Sequence, residues 1–314
     1  MTHRLNLLLL ALALVIGVPY YWLLLDSPSA QVAPHALRLA DLRRLADSVP
    51  GARPTEIEAT IIAWDRTPGT LLAAGAGLKR RLYGVMSFRL DVPGRGPIVI
   101  GTGTTGALAA ANRLEGFDQR RQHLVDGDMR AASLILATDE SADSLGGLAA
   151  LARSGNPGGA PGAARLNAAQ VSGTPLFAGL PWPPGLAVGA GLPPGGARAL
   201  APGVVLIPTG APSPGSQMVY LRMANGREYL LAGPVAPYQV NVTQLRTRSH
   251  LLDMVWGRQD RAGTIRWLVT VRQWLRDDPD LYLVAGHDIM GLIGRDSPSG
   301  ITNREWPETV PRSR

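Results

Sequence analysis

The sequence predicts a mixed α/β domain carried behind an apolar N-terminal span. Leu134-Ile135-Leu136-Ala137 reads as a short buried strand that breaks into a polar loop and restarts as a helix at Leu145-Gly146-Gly147-Leu148. Strand-like segments separated by turn residues recur on both sides of it, and an amphipathic stretch at 264–276 precedes the last strand. Residues 5–25 form 21 consecutive uncharged positions, long enough to cross a hydrocarbon core of about 30 Å as a helix.

That first run ends in Tyr20, Tyr21 and Trp22, rings that favour a membrane interface. Its length, its aromatics and the poor cleavage site at 26–30 argue for a retained anchor over a secretory signal. Arg4 before the span and Asp26 after it place the N-terminus in the cytoplasm and the domain outside, with Arg38, Arg43 and Arg44 voting the other way. Residues 37–49 space apolar side chains at helical intervals up to Pro50-Gly51, a short helix joining anchor to domain.

Strands are expected at 56–65, 82–92 and 97–101, and a helix at 106–114. The loop at Asp126-Gly127-Asp128 then leads into the central strand. Between 155 and 196, 19 of 42 residues are Gly or Pro, which resists helix and strand alike, so residues 153–203 read as an irregular surface insert. Residues 164–171 are its one expected ordered piece, while Leu176, Phe177, Trp182 and Leu186 are the side chains a lid or docking patch would use. Regular structure resumes with a buried strand at 204–207 and a hairpin at 218–231 turning on Asn225-Gly226. The last strand, 281–284, runs into Gly286-His287-Asp288, and from Ile301 the chain is polar with scattered prolines. The division is therefore an anchor at 1–26, a linker at 27–53, the main domain at 54–296 and a frayed tail at 297–314.

Composition excludes several function classes. The chain has no cysteine, hence no disulfide, thiolate ligand or thiol nucleophile. Its net charge of +7 rests on 30 arginines and one lysine that are scattered, with no basic stripe interleaved with aromatics, so no nucleic-acid partner is expected. The Gly-rich run 101–106 lacks the lysine of a phosphate loop. A triad drawn from Ser141, His287 and Asp288 has no nucleophile-elbow sequence around its serine.

Four motifs in order resemble the metallo-β-lactamase-fold hydrolases. Against the family's strand-Thr-His-x-His-x-Asp-His-x-Gly-Gly loop, Thr138, Asp143, Gly146 and Gly147 match, while Asp139, Ser141 and Ser144 stand in the histidine places. The family's Pro-Gly-His-Thr-Pro-Gly-Ser segment is similar to 209–216, with Ala211 at the histidine. Its strand ending in Gly-Asp resembles 229–234, with Pro234 at the aspartate, and its last histidine matches His287. The resemblance spans residues 54–294 and is nearest to bacterial membrane-anchored members of unassigned substrate.

That resemblance implies a four-layer αβ/βα sandwich with its site at the rim between two sheets. It also implies two metals, of which only Asp143 and His287 survive as donors among seven ligand positions. Catalytic zinc needs about three protein donors and an open position, so no metal cofactor and no catalysis are expected. The competing expectation is one divalent cation (Zn, Mn or Mg) held by Asp139, Asp143 and His287, serving an atypical hydrolase. Alternatively, short acidic side chains at 139 and 143 simply cap the following helix. The role implied is binding or regulation by a protein on the bacterial inner membrane, single-pass, with a periplasmic domain and a protein or small-molecule partner.

Overall fold

Ile98 and Ile100 point into one apolar cluster while Val99 between them joins another, and the same split holds for Leu134 and Leu136 against Ile135. Strands buried on both faces lose the apolar-polar alternation and read as continuous apolar runs, the pattern of a sheet covered on each side. The computed structural model describes residues 2–172, 191–192, 195–293 and 298–304.

The first sheet takes β1 (Glu56–Pro68), β2 (Arg80–Asp91), β3 (Ile98–Ile100), β4 (Gly116–Phe117) and β5 (Leu134–Leu136). The second takes β6 (Arg198–Ala201), β7 (Val204–Pro208), β8 (Gln217–Arg222), β9 (Glu228–Gly233) and β10 (Leu281–Ala285). A final pair, β11 (Thr302–Asn303), returns to the edge of the first sheet. The order is β11-β1-β2-β3-β5 with β4 on β1, and β10-β9-β8-β7-β6 in the second sheet. β3 and β5 pair in parallel, as do β9 and β10; the hairpins between are antiparallel.

Ahead of the sheets lie α1 (Thr2–Tyr20), a π-helical turn at Tyr21–Leu25 and α2 (Leu39–Ala46). The first half adds α3 (Gly69–Leu72), α4 (Gly106–Ala111), α5 (Gln119–Ala131), α6 (Ala142–Arg153), α7 (Ala160–Ala163) and α8 (Ala168–Ser172). The second half adds α9 (Gln239–Gln244), α10 (His250–Trp256), α11 (Arg261–Asp277) and α12 (Ile289–Ile293). Leu90, Ile100, Leu136, Leu206 and Leu221 meet between the sheets. Val125, Leu145 and Leu148 of α5 and α6 cover the first sheet from outside, and Leu42, Leu268 and Val271 of α2 and α11 cover the second. The layers therefore run helix, sheet, sheet, helix.

Three expectations are corrected. Asp126-Gly127-Asp128 lies inside α5, because Asp118 caps the helix at Arg121 and the Gln122 amide reaches Asp126 one turn on at 2.8 Å. The tail is not frayed over 298–304: Ile301 is buried, Thr302 and Asn303 pair with Glu58 and Ala59, and Arg304 binds Asp128 at 2.6 Å. The insert holds regular pieces at α7, α8 and β6, and buried Gln170 ties it to the Ala137 and Gly215 carbonyls at 3.2 and 3.0 Å. Leu176, Phe177, Trp182 and Leu186 lie outside the described residues. The 27–53 linker is docked through Leu39, Leu42 and Ala46 against the second sheet.

One helix, His3–Leu25, is 23 residues long and apolar enough to cross a membrane. Its end is fastened to the domain. The Leu24 carbonyl accepts from the Thr70 hydroxyl at 2.7 Å and the Gly75 N–H at 2.9 Å, and the Trp22 ring stacks on His250 at 4.5 Å.

Candidate functional site

The loop after β5 and the chain after β10 meet where both sheets end. Gly147 lets α6 approach closely, since a Cβ there would sit 1.9 Å from the Thr102 carbonyl oxygen. Gly84 does the same on β2, where a Cβ would strike the Ile289 side chain at 2.3 Å. His287 runs alongside it: the Gly84 N–H donates to the His287 carbonyl at 3.0 Å and His287 Nδ1 lies 2.8 Å from the Gly84 carbonyl oxygen. A carbonyl only accepts, so Nδ1 carries the proton and Nε2 turns inward.

What Nε2 meets is a tyrosine. The Tyr83 hydroxyl lies 3.3 Å from His287 Nε2 and donates to Asp143 Oδ2 at 2.7 Å, and the two rings stack at 4.1 Å with 16° between planes. Trp256 closes the outer side with its ring edge-on to Tyr83, 6.3 Å away. Asp143 Oδ1 is sealed from solvent and has no hydrogen-bond partner among the described residues. Burial pushes the Asp143 carboxyl above the usual aspartate range against the pull of His287 and the Tyr83 hydroxyl. Burial, reinforced by the Asp143 charge, likewise drives the Tyr83 hydroxyl well above its ordinary value. The phenol therefore keeps its proton and acts as a donor.

Asp139, Asp143, Ser144, Pro234 and His287 line one cavity of about 40 Å³. Ser141 and Ala211 are not on its wall. Ser141 caps α6 by accepting from the Ser144 N–H and donates its own proton to Asp139 Oδ1 at 2.8 Å. Ser144 Oγ faces Thr138 Oγ1 at 3.3 Å. Ala211 is buried near Gly263 of α11. Capping is thus done by Ser141, with Asp139 held as its partner and Asp143 turned to Tyr83. The Ser141, His287 and Asp288 triad is not assembled, because Asp288 accepts from the Gln239 and Gly291 N–H groups instead. Beside the cavity, burial raises Glu140, which accepts from the Ser213 hydroxyl at 2.9 Å.

These side chains do not fit a catalytic divalent metal. Among the described residues no three His, Asp or Glu side chains gather as a ligand set. The two matched donors both face the Tyr83 hydroxyl, and Asp139 is engaged by Ser141. Asp143 Oδ1, unpartnered among the described residues, is a single oxygen donor and not a coordination shell. What the cluster can do is hold a proton between a carboxylate, a phenol and an imidazole.

Tyr83 and Trp256 are the residues that sequence reasoning missed. The available signal was Gly84, a glycine inside a strand, which marks a close backbone approach there.

Solved structures settle the architecture. A quorum-quenching N-acyl homoserine lactone lactonase superposes with a TM-score of 0.62 at 14% identity, covering 77% of this chain and 95% of that one. An N-acyl homoserine lactone hydrolase with N-hexanoyl-L-homoserine at its catalytic metal centre gives 0.60 at 14% identity over 76% and 94%. An AiiA mutant from B. thuringiensis with N-decanoyl-L-homoserine at its active site gives the same score and coverage, again at 14% identity. The chain has the metallo-β-lactamase fold. No protein-family model matches the sequence, and no curated protein does. Within the metallo-β-lactamase fold, the cavity lined by Asp143 and His287 lies at the rim between the two sheets.

Proposed function

We propose that this chain is a non-catalytic derivative of the metallo-β-lactamase-fold hydrolases, a membrane-anchored binding or regulatory protein. The observation that carries the reading is the Tyr83 hydroxyl, set against both Asp143 and His287 at 2.7 and 3.3 Å. A metal drawn to those donors must first break the hydrogen bond that the buried Tyr83 hydroxyl donates to Asp143. The N-acyl homoserine lactone hydrolase of similar fold binds its product at a catalytic metal centre. Here five of the seven positions that the resemblance assigns to ligands hold Asp, Ser, Ala or Pro in place of the expected residue. Without a bound metal, no water of lowered pKa is available to attack a lactone or ester. The apolar helix is read as a single-pass anchor in a bacterial inner membrane, with the domain on the periplasmic side.

The test uses the full chain in detergent, dialysed against Zn²⁺, Mn²⁺ or Mg²⁺ and freed of excess. Substoichiometric metal by mass spectrometry, an unfolding midpoint unmoved by micromolar metal and no turnover of lactones or esters are expected. Stoichiometric metal with turnover abolished in Asp143→Ala would reverse the reading in favour of a single-metal hydrolase around Asp139, Asp143 and His287.

A further inference from the structure

The short helix α10 turns its apolar stripe the wrong way for a soluble domain. Leu251, Met254 and Val255 recur at the i, i+3, i+4 spacing that normally faces a core. Here Leu252 and Asp253 are the buried pair, while Met254 and Val255 are 70% and 71% exposed and Trp256 is 41% exposed. Leu78, on the loop after α3, adds a further apolar side chain at 62% exposure. Scattered single apolar residues on a surface need no explanation, but a contiguous group does.

The patch is continuous with the end of the apolar helix. His250, the first residue of α10, stacks on Trp22 and places Nε2 2.9 Å from Asp26 Oδ2. Arg261 reaches the Asp26 carbonyl at 2.6 Å. The loop carrying Leu78 is held between the same partners, with the Gly75 N–H on the Leu24 carbonyl and the Ser249 N–H on the Leu71 carbonyl at 2.9 Å each. Lys79 and Arg81, within three residues of Leu78, and Arg258, two residues after Trp256, are exposed. Aromatic and aliphatic side chains with exposed cations next to them in sequence, at the aromatic end of a 23-residue span, have the chemistry of a surface that enters the headgroup layer.

We propose that α10 and the Leu78 loop seat the domain on the bilayer that holds α1, with anionic headgroups meeting Lys79, Arg81 and Arg258. The inference rests on reading α1 as a retained anchor. It places the rim bearing Tyr83 on the membrane-facing side, since Trp256 covers Tyr83 and belongs to the seated helix. The opposite end of β9, at Asn225, then points into water.

The chain lacks cysteine, so single-cysteine variants report unambiguously. Full-length Met254→Cys, Leu78→Cys, Asn225→Cys and Val15→Cys are labelled with an environment-sensitive fluorophore and reconstituted in phosphatidylglycerol-containing vesicles. The labels at 254 and 78 are expected to be blue-shifted and quenched by shallow spin-labelled lipid, the label at 15 by deep spin label, and the label at 225 by neither. Water-like emission at 254 and 78 with deep quenching at 15 overturns the seating and leaves the anchor reading intact. Lipid quenching at 254 and 78 without deep quenching at 15 upholds the surface and removes the anchor. Water-like emission at all three removes both. A blue shift at 254 that lipid does not quench, with energy transfer between differently labelled copies, overturns the proposal in favour of a self-association face.

Discussion

Tyr83 donates its hydroxyl proton to Asp143 at 2.7 Å while its ring lies 4.1 Å from that of His287, so one side chain engages both donors that the family pattern retains. Replacing it with phenylalanine keeps the stack and removes the hydrogen bond to a carboxyl whose other oxygen has no partner among the described residues. Leaving a buried acceptor unmet costs about 1–3 kcal/mol. Tyr83→Phe is therefore expected to lower the unfolding midpoint by several degrees at neutral pH, at ~2–4 °C per kcal/mol for a domain of this class. An unchanged midpoint would show that the bond carries no weight.

Asp143 sets a pH dependence of defined sign. Its folded carboxyl holds its proton to higher pH than an ordinary aspartate, because burial outweighs His287 and Tyr83. The folded state therefore binds this proton more tightly than the unfolded one. The group's contribution to stability is greatest below the unfolded pKa and is lost as pH rises through the interval up to the folded pKa. Asp143→Asn removes that loss and keeps an acceptor for the Tyr83 hydroxyl. The variant should melt higher than the parent at pH 7, with the gap narrowing at pH 4. Calorimetry at the two pH values checks it; a gap that widens on acidification contradicts the assignment.

Gly84→Ala tests the close approach that lets His287 lie along β2. Its Cβ would meet two Ile289 carbons at 2.3 and 2.5 Å, and crowding of a packed core costs about 1–3 kcal/mol. The expected readouts are a lower midpoint and altered Tyr83–His287 stacking, seen as a shift of the His287 ring protons. A wild-type spectrum would mean that α12 moves aside freely.

The fold was legible wherever a segment's periodicity answered to one partner surface. Ile98-Val99-Ile100, Leu134-Ile135-Leu136 and Val204-Val205-Leu206-Ile207 read as buried strands because each is covered on both faces. Asp126-Gly127-Asp128 misled because two aspartates around a glycine carry turn propensity, and the Gln122–Asp126 bond that holds them in α5 is fixed by helix geometry, not by composition. Thr302 and Asn303 were illegible for a different reason. A two-residue edge strand has no period, and its pairing with Glu58 and Ala59 is a tertiary fact.

The site divides in the same way. Asp139, Asp143, Ser144, Pro234 and His287 were placed by the resemblance to the family's motifs, and they share one cavity. Tyr83 belongs to no motif. A tyrosine in a strand reads as an ordinary packed residue, and only the return of the chain at His287, 204 residues later, makes it part of the site.

Arg43 makes the linker helix part of the domain. Its guanidinium binds Glu228 at 2.9 and 2.8 Å and also bonds Asp278, across 185 and 235 residues of sequence. Glu228 is 9% exposed, so it cannot recover that contact from water, although Arg222 at 3.4 Å supplies part. Arg43→Ala is expected to cost roughly 1–3 kcal/mol, and Arg43→Lys to restore only a fraction because an ammonium lacks the planar fork. Equal stability of Arg43→Lys and the parent would show that charge alone suffices. Urea titrations of the three proteins decide it.

Cleavage near residue 26 would strip the domain of Trp22 from the His250 ring and of the Leu24 carbonyl from Thr70 and Gly75. It would also expose the faces of α3 and α10 that those residues now cover. A signal peptide that is discarded has no reason to complete the hydrogen bonding of the domain it leaves, whereas an anchor that remains does. The mature protein is therefore expected in the membrane fraction at full length, its N-terminal peptide recoverable by mass spectrometry after alkaline extraction. Thr70→Val deletes the donor to Leu24 without changing side-chain size, and should loosen the junction enough for amide exchange at Gly75 to quicken while core strands such as β8 stay protected. A soluble form starting near Gln31, or Gly75 exchange unaffected by Thr70→Val, would break the link between the apolar helix and the domain.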